Sequence, residues 1–397
     1  MLVSTIELFT RARCADHLGI KGAEQLTLDW PAMISRKDEI VASWSKSKNA
    51  TPGNLGILAL RGHATFAGPH EVTVDGRNYS GDKFVIATGS KPARPPIPGA
   101  EHAITSDELL HLKEQPKRLV VIGGGFIGLE FGFALARAGS KVTLLQSGSQ
   151  IGPALDHDIR NTLLECAKEA GMTIKTNVKV TKIEGDKTVE AEIEGRKEKF
   201  STDQVLLATG RPSNVESMKP ERANIDLDHG AVKVNEYLQS VSAPHVYAAG
   251  DAAGKHQHSP VAWYEGPIAA HNALKGNERR VDFSVFPSAI FTIPAIGQVG
   301  LTEEEALKRG LNAKASKQPY EYNPAAGVRD ETEGLVKVIY EEATEKILGV
   351  HVIGAHAEDI IQIAAVAIKG GLKKSEVGAM HYVFPTFGGA IFDTMAA

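Results

Sequence analysis

The stretch VVIGGGFIGLE, residues 120–130, decides the fold, because it contains Gly-x-Gly-x-x-Gly at Gly123, Gly125 and Gly128. An apolar run, RLVVI, precedes these glycines, and the helix-forming run FIGLEFGFALARA and the apolar run KVTLL follow them. This order predicts a strand–turn–helix–strand unit, in which the glycines allow a tight turn, a close approach of a pyrophosphate and close helix–strand packing. Tight helix–strand packing without any ligand is the alternative interpretation.

The residue at the end of the following strand distinguishes NAD from NADP. An acidic residue at this position binds a ribose 2′-OH, whereas an Arg nearby accommodates a 2′-phosphate. Gln146 occupies the position, and residues 147–152 contain no Arg. Because an amide oxygen can accept a hydrogen bond from the 2′-OH, the sequence favours NAD, with NADP as the alternative. An ordinary polar strand end is the competing interpretation of Gln146.

Composition excludes several classes of function. The chain has 397 residues, a net charge of -4 and no run of Lys or Arg, so neither nucleic acid nor an anionic membrane is expected as a partner. It has no apolar run of about 20 residues, the length that spans a bilayer, and no signal peptide, so we predict a cytoplasmic protein. Cys14 and Cys166 are predicted to be buried thiols. His256 and His258 are interpreted as a polar loop, and no metal site is predicted.

The remaining patterns predict an α/β chain of two or three domains. Helices are expected at 2–18, with Leu2, Ile6, Phe9 and Cys14 on one face, and at 31–46, 156–170 and 260–275. Strands are expected within 57–86, 173–183, 187–200, 204–210 and 245–251. From residue 286 the chain alternates strands with an acidic helix, TEEEALKRG, and an Ala/Ile-rich helix, EDIIQIAAVAIKGG.

Three similar phrases combine a strand with a glycine turn. FVIATGS (84–90) and VLLATGR (205–211) are nearly identical, and HVYAAGD (245–251) ends in Gly250-Asp251. A carboxylate at the carboxyl end of a parallel strand can accept hydrogen bonds from a polyol or ribose chain. Asp251 is therefore a candidate cofactor residue, although each phrase taken alone could simply be strand and turn.

Together these phrases resemble the flavin-dependent pyridine nucleotide–disulfide oxidoreductases, a family that includes dihydrolipoamide dehydrogenase, glutathione reductase and mercuric reductase. The resemblance covers essentially the whole chain, through IATGSKPARPPIPG, GGGFIGLE, LLATGRPSN, VYAAGDAAG, FTIPAIGQVGLTEEEA and ILGVHVIGAHAEDII. It implies two Rossmann-like dinucleotide-binding domains and a C-terminal α+β dimerisation domain, hence a homodimer. The implied domains are an incomplete FAD-binding domain in two parts (1–115 and 214–285), an inserted NAD(P)-binding domain (116–213) and the dimerisation domain (286–397).

The resemblance also implies cofactor residues, whereas it leaves the catalytic residues unknown. Those expected to hold NAD(H) are Gly123, Gly124, Gly125, Phe126, Ile127, Gly128, Gln146, Val180 and Gly210. Thr88, Gly89 and Ser90 are expected along the FAD, and Asp251 on its ribityl chain. Glu130 is expected beside the flavin and the nicotinamide, with a raised pKa if it is buried.

Two departures from the family pattern affect the expected activity. The family begins with its own glycine turn and a redox-active Cys-x-x-x-x-Cys, whereas this sequence begins at the helix that follows them, and Cys14 replaces neither cysteine. A start codon assigned at an internal Met, or a fragment, is the expected explanation. Near the C-terminus, Phe384 precedes Pro385-Thr386 where the family's disulfide reducers carry His, and Gly389 stands where they carry Glu. His381 lies three residues too early to substitute.

Two functions follow from these observations. The first is an FAD-dependent oxidoreductase that passes hydride from NAD(P)H through flavin to an unknown small-molecule acceptor, such as a metal ion, a quinone or a small electrophile. Without the first glycine turn, FAD is expected to bind weakly at best. The alternative is a non-catalytic, NAD(H)-binding, dimeric remnant of the family.

Overall fold

The computed structural model describes residues 1–397 and shows a mixed α/β chain. The helices are α1 (Leu2–Arg13), α2 (Trp30–Asn54), α3 (Ser106–Leu109), α4 (Phe126–Arg137), α5 (His157–Glu169), α6 (Ser259–Lys275), α7 (Glu303–Lys308), α8 (Pro324–Arg329), α9 (Ala357–Lys369), α10 (Lys374–Gly378) and α11 (Gly389–Ala396). The strands are β1 (Ala64–Gly68), β2 (Glu71–Val74), β3 (Arg77–Ser80), β4 (Phe84–Ile86), β5 (Ile104–Thr105), β6 (Arg118–Ile122), β7 (Lys141–Leu145), β8 (Thr173–Lys175), β9 (Val178–Ile183), β10 (Val189–Ile193), β11 (Arg196–Phe200), β12 (Gln204–Leu207), β13 (Leu227–Asp228), β14 (Ala231–Val232), β15 (Val246–Ala248), β16 (Ser288–Ile290), β17 (Ile296–Gly300), β18 (Ala313–Pro319), β19 (Leu335–Glu341) and β20 (Ile347–Ile353).

The chain forms two compact units. The first comprises Met1–Asp38, Arg94–Thr209 and Ser284–Ala397, and the second comprises Glu39–Ala93 and Gly210–Phe283. The four segments expected from the sequence, with their three internal boundaries, remain a prediction. None of the helices combines the length and the apolar character that a membrane-spanning segment needs.

A five-stranded parallel sheet in the first unit, with strand order β5-β12-β6-β7-β8, carries the glycine turn. β6 is its central strand, and its residues 119–122 are all buried. A parallel strand covered on both faces reads as a continuous apolar run, which is why RLVVI shows no alternation. Leu129 and Phe133 of α4 are fully buried in the same core.

Two further sheets complete the first unit. β11, β10 and β9 form an antiparallel sheet, which follows from the charged, alternating sequence of residues 189–200. The second is an antiparallel sheet of order β16-β17-β20-β19-β18. Its core is shared with the apolar faces of α9 and α11.

The second unit is built around a pair of parallel strands, β4 and β15. Their register places Ile86 beside Ala248, so the two chain segments that follow leave the pair at the same end. Phe66 of the β1-β2-β3 sheet packs in the core that contains Ile86 and Val246.

Several local predictions are corrected by the structure. Helix α1 ends at Arg13 rather than at residue 18, and a short 3₁₀ turn at Ala15–Leu18 follows it before Gly19 in a left-handed conformation. Cys14 is therefore exposed instead of buried, whereas Cys166 is buried as predicted. The helix expected at 31–46 continues to Asn54. The apolar run ILAL at 57–60 forms no strand, since pairing begins only at Ala64.

Candidate functional site: a glycine turn and a Ser–Asp–Arg cluster

The glycine turn links β6 to α4, and each of its three motif glycines meets a different environment. Gly123 has a φ of +112°, and a Cβ there would lie 2.3 Å from Ala208 O. A Cβ at Gly128 would lie 2.0 Å from Gly123 O, so helix and turn are in direct backbone contact. A Cβ at Gly125, in contrast, would meet nothing within 4 Å. The turn is thus closed on its protein side and open at Gly125.

The N-terminus of α4 is available to an anion. Gly125 caps the helix without a side-chain hydrogen bond, and the first turn contains no acidic residue. The first backbone N–H groups of a helix lack intrahelical partners and lie at the positive end of its dipole. An open glycine beside such a helix end fits the pyrophosphate of a dinucleotide.

The side chain of Gln146 contacts the turn itself. Gly124 N donates a hydrogen bond to Gln146 Oε1 at 2.9 Å, at the end of β7. Because a backbone N–H can only donate, the amide oxygen faces the turn and Nε2 is left to face away from it. A nucleotide would therefore meet the Nε2 donor of Gln146 as well as the remaining lone pair of Oε1. The preference for NAD inferred from the sequence rested on that oxygen alone.

Glu130 lies one turn further along α4 and is half-buried. Phe291 N donates a hydrogen bond to its Oε1 at 3.0 Å. Burial raises the pKa of Glu130, and the hydrogen bond from Phe291 offsets part of this effect. The shift has the direction expected for a buried carboxyl group without a cation beside it.

Val180 and Gly210, the two remaining residues expected to hold NAD(H), lie in different units of the chain. Val180 lies on β9 and packs on an apolar cluster that contains Ile122 and Leu145, the last residues of β6 and β7. Two residues earlier, the start of β9 contacts Gln146 directly, since Val178 N donates a hydrogen bond to Gln146 O at 3.0 Å. Gly210 has a φ of +114° and belongs to the second unit, where its carbonyl accepts a hydrogen bond from Ala93 N.

In the second unit, the segments that follow β4 and β15 bring Ser90 and Asp251 together. Ser90 Oγ donates a hydrogen bond to Asp251 Oδ2 at 2.5 Å. Gly89, with a φ of +68°, accepts a hydrogen bond from Asn214 N through its carbonyl. This arrangement follows from parallel pairing, because the carboxyl ends of parallel strands meet at one edge of a sheet.

The buried hydroxyl of Thr88 gives an independent indication of a ligand. Its Oγ1 is buried and has no hydrogen-bond partner in the protein. Leaving a buried hydroxyl unpaired costs about 1–3 kcal/mol. A ligand with hydroxyl or phosphate groups would supply the missing partner, and the second carboxylate oxygen of Asp251 can accept from a polyol. These residues therefore fit the ribityl and phosphate part of a flavin cofactor.

Sequence reasoning missed three residues of this cluster. Arg211 donates through Nε to Ser90 Oγ at 3.1 Å and through Nη2 to Ser90 O at 3.2 Å. Ser213 Oγ donates to Asp251 O, and Gly250 N donates to Glu265 Oε2 at 2.7 Å. Burial raises the pKa of Glu265. The sequence contained one signal for Arg211, the repeated Ala-Thr-Gly phrase. Arg211 follows its second copy in the position where Ser90 follows the first.

His256 and His258, which lie outside these clusters, form no metal site in the structure. Burial lowers the pKa of both His256 and His258, which favours their neutral forms. No group of three or more His, Cys, Asp or Glu residues is arranged to hold a metal ion.

At the C-terminal phrase, Phe384 is exposed, and a Cβ at Gly389 would lie 2.8 Å from the ring of Tyr382.

Comparison with known proteins identifies the family. The family model described as pyridine nucleotide-disulphide oxidoreductase matches residues 24–273. The model of that family's dimerisation domain matches residues 286–394.

Individual relatives agree with this result. A mercuric reductase of Staphylococcus aureus is 37% identical over 87% of this chain and 64% of its own length. A dihydrolipoyl dehydrogenase of Thermus scotoductus is 35% identical over 100% of this chain and 88% of its own. The chain spans 56–64% of the length of the mercuric reductases that it matches.

A solved structure shares the architecture. The Cu(II) complex of the HOCl-induced flavoprotein disulfide reductase RclA from Escherichia coli superposes with a TM-score of 0.88 at 27% identity, covering 100% of this chain and 88% of that one. Members of the matching family are FAD- and NAD(P)H-dependent oxidoreductases. The chain belongs to the pyridine nucleotide–disulphide oxidoreductase family.

Proposed function

We propose that the chain acts, as a homodimer, as an NAD(P)H-dependent flavoprotein oxidoreductase that reduces a small-molecule acceptor. The observation that carries this proposal is the contrast within the glycine turn, which is closed by backbone contacts at Gly123 and Gly128 and open at Gly125. Such a turn leaves one approach for a pyrophosphate, along the end of α4. When bound, a nicotinamide and a flavin together supply hydride-transfer chemistry.

The residues proposed to hold the two cofactors lie in separate clusters. The turn Gly123–Gly128 and Gln146, with Val180, would hold the nicotinamide dinucleotide, and the role of Gly210 stays a sequence-based prediction. Asp251, Ser90 and Thr88, with Gly89, would hold the flavin cofactor, and Arg211 would orient Ser90 through its two hydrogen bonds. The match to a dimerisation domain supports the homodimer.

The C-terminal phrase supports an acceptor other than a disulfide. Phe384 has no group that can transfer a proton, and a side chain at position 389 would force the Tyr382 ring to shift, since its Cβ would lie 2.8 Å from that ring. Tyr382 itself is held by a hydrogen bond from its OH to Asp393 Oδ1 at 2.5 Å. General acid–base catalysis needs a titratable side chain within hydrogen-bond reach of the reacting group. An acceptor that is reduced without such a donor fits the phrase better.

The visible absorption spectrum of the purified 397-residue chain tests the proposal. We expect a flavin band after reconstitution with FAD, and oxidation of NADH or NADPH when a quinone or a metal ion is added. Asp251→Ala is expected to lower the flavin content, whereas Asp82→Ala, an exposed aspartate of the same unit, is the matched control. Binding of NADH without any flavin uptake would instead support a non-catalytic, NAD(H)-binding remnant.

The choice between the two nicotinamide cofactors is tested at Gln146 by fluorescence titration, which needs no turnover. Gln146→Arg is expected to shift the preference toward NADPH, because a guanidinium pairs with a 2′-phosphate. Gln146→Glu is expected to weaken NADPH binding by charge repulsion and to retain NADH binding. Unchanged affinities for both cofactors in both variants would show that Gln146 does not face the ribose.

A further inference from the structure

A cavity of about 340 Å³ lies in the first unit, away from the glycine turn. Residues of α1, the end of α4 and the segment 330–333 line it, and Ile293, Pro294 and Ala355 form an apolar wall. The lining residues that carry charge or chemistry are Glu7, Arg11, Cys14, Arg137, Glu331 and Glu333. No residue assigned to either cofactor contributes to it.

The lining carries an excess of negative charge. Four carboxylates, including Asp330, face two guanidinium groups, and Asp330 also contacts His17 Nε2 at 2.8 Å. Arg11 pairs with Glu331 at 3.1 Å, and Arg137 pairs with Glu333 at 2.6 Å. Glu7 forms no ion pair, and its pKa is raised by burial and then by the charges of Glu358 and Glu331. Negative charge in the cavity is therefore incompletely compensated by the protein.

Glu331 provides the specific evidence for a ligand. Its side chain is only 9% exposed, and Oε1 accepts from Arg11, while Oε2 is buried without any hydrogen-bond partner. A buried carboxylate oxygen left unpaired costs more than an unpaired neutral group does, so such atoms are normally satisfied. The missing partner of Oε2 is a hydrogen-bond donor, and a positively charged donor would also offset the excess of carboxylates in the lining.

We propose that this cavity binds a small aliphatic ammonium compound, with an ammonium group at Glu331 Oε2 and Glu7. An ammonium carries three donors and no acceptor, which suits two neighbouring carboxylates. The alkyl part would lie against Ile293, Pro294 and Ala355, and the volume lies in the range of small-molecule pockets. A metal ion fits less well, because no group of three or more suitable ligands is arranged around one.

The test uses 1,4-diaminobutane as the probe and butane-1,4-diol, of the same length and without charge, as the control ligand. Calorimetric titration of the full chain is expected to show binding of the diamine alone. Glu331→Gln is expected to weaken this binding by about tenfold or more, which corresponds to one charge-assisted hydrogen bond. Glu304→Gln, the same charge change at an exposed glutamate outside the cavity, is expected to change it by less than about twofold.

Alkylation of Cys14 provides a second readout in the unaltered chain. Cys14 lines the cavity and is exposed, whereas burial raises the pKa of the Cys166 thiol to about 12 and keeps it unreactive. Bound diamine is expected to slow the labelling of Cys14 by a maleimide, and the diol is not. Equal effects of diamine and diol, or equal diamine binding by Glu331→Gln and the unaltered chain, would overturn the proposal. Neither measurement requires a nicotinamide or a flavin, so its result is independent of the proposed oxidoreductase activity.

Discussion

Lys337 of β19 connects three acidic side chains, and its replacement by Met is the sharpest test of how the first unit is held together. Its Nζ contacts Asp156 at 2.9 Å, Asp158 at 2.6 Å and Glu303 at 2.6 Å, and its side chain is 1% exposed. Asp156 also accepts hydrogen bonds from Asp158 N and Glu303 N, at the starts of α5 and α7. The cluster therefore joins the helix that follows the glycine-turn unit to the C-terminal antiparallel sheet.

The loss of stability expected for Lys337→Met arises mainly from the Asp156 carboxylate. Asp156 is 0% exposed and has no other cation, so the variant leaves a buried charge uncompensated. Asp158 retains Lys317 at 2.7 Å, and Glu303 is 35% exposed, so water screens the loss at both. Removing one partner of a buried pair costs about 3–5 kcal/mol, and we expect a loss of this size in the free energy of unfolding.

The pH dependence of the variant follows from the pKa values. Burial by itself raises the pKa of Asp156, but the hydrogen bonds and charge of Lys337 outweigh it and hold the pKa below its ordinary value. A lowered carboxyl pKa contributes stability above the unfolded value of about 3.9, and this stability is lost as the pH falls through the folded value. The difference between the two proteins is therefore expected to be large at neutral pH and to shrink on acidification, as Asp156 first takes up a proton in the variant, where its pKa is raised, and then in the unaltered chain, where it is lowered.

Urea unfolding followed by circular dichroism, at neutral and acidic pH, measures this effect. Lys314→Met removes an exposed Lys from the neighbouring strand β18 and is expected to cost less than about 1 kcal/mol. Asp156→Asn combined with Lys337→Met is expected to recover part of the loss, because the lone buried charge is gone. A loss below about 1 kcal/mol for Lys337→Met, or no recovery in the double variant, would refute the reasoning.

Two further predictions concern the glycine turn and α4. Gly128→Ala is expected to destabilise the fold by about 1–3 kcal/mol, because its Cβ would lie 2.0 Å from Gly123 O. Gly125→Ala is expected to change stability by less than about 1 kcal/mol and yet weaken NADH binding; thermal unfolding and fluorescence titration of both variants separate the two effects. The third change is Glu130→Gln. Because the pKa of Glu130 is raised in the folded chain, this carboxyl group stabilises the fold only at low pH, and the unaltered chain loses that stability as the pH rises above about 4.3. The variant is expected to lack this loss, and parallel pH dependences of urea unfolding in both proteins would contradict the expectation.

Local patterns predicted the β6–turn–α4–β7 unit because its determinants lie close together in the chain. The glycines, the apolar runs and the helix-forming stretch act within about 30 residues, the size of such a unit. The ends of α1 and α2 were predicted less well, because tertiary contacts and a left-handed glycine decide where a marginal helix stops. The prediction that Cys14 is buried was wrong for this reason, since α1 ends before Cys14 and the residue lies on the surface.

The sequence by itself determined the family-specific order of motifs, the apolar strands and the position of the nucleotide turn, because each depends on neighbouring residues. Only the tertiary structure decided which distant side chains meet. Glu130 and Phe291 lie 161 residues apart, and Lys337 and Asp156 lie 181 residues apart. Arg211 and Ser90 lie 121 residues apart. Such pairs leave no periodic signal, since their contact depends on how strands pair and helices pack, and that packing is the property that completes the sites.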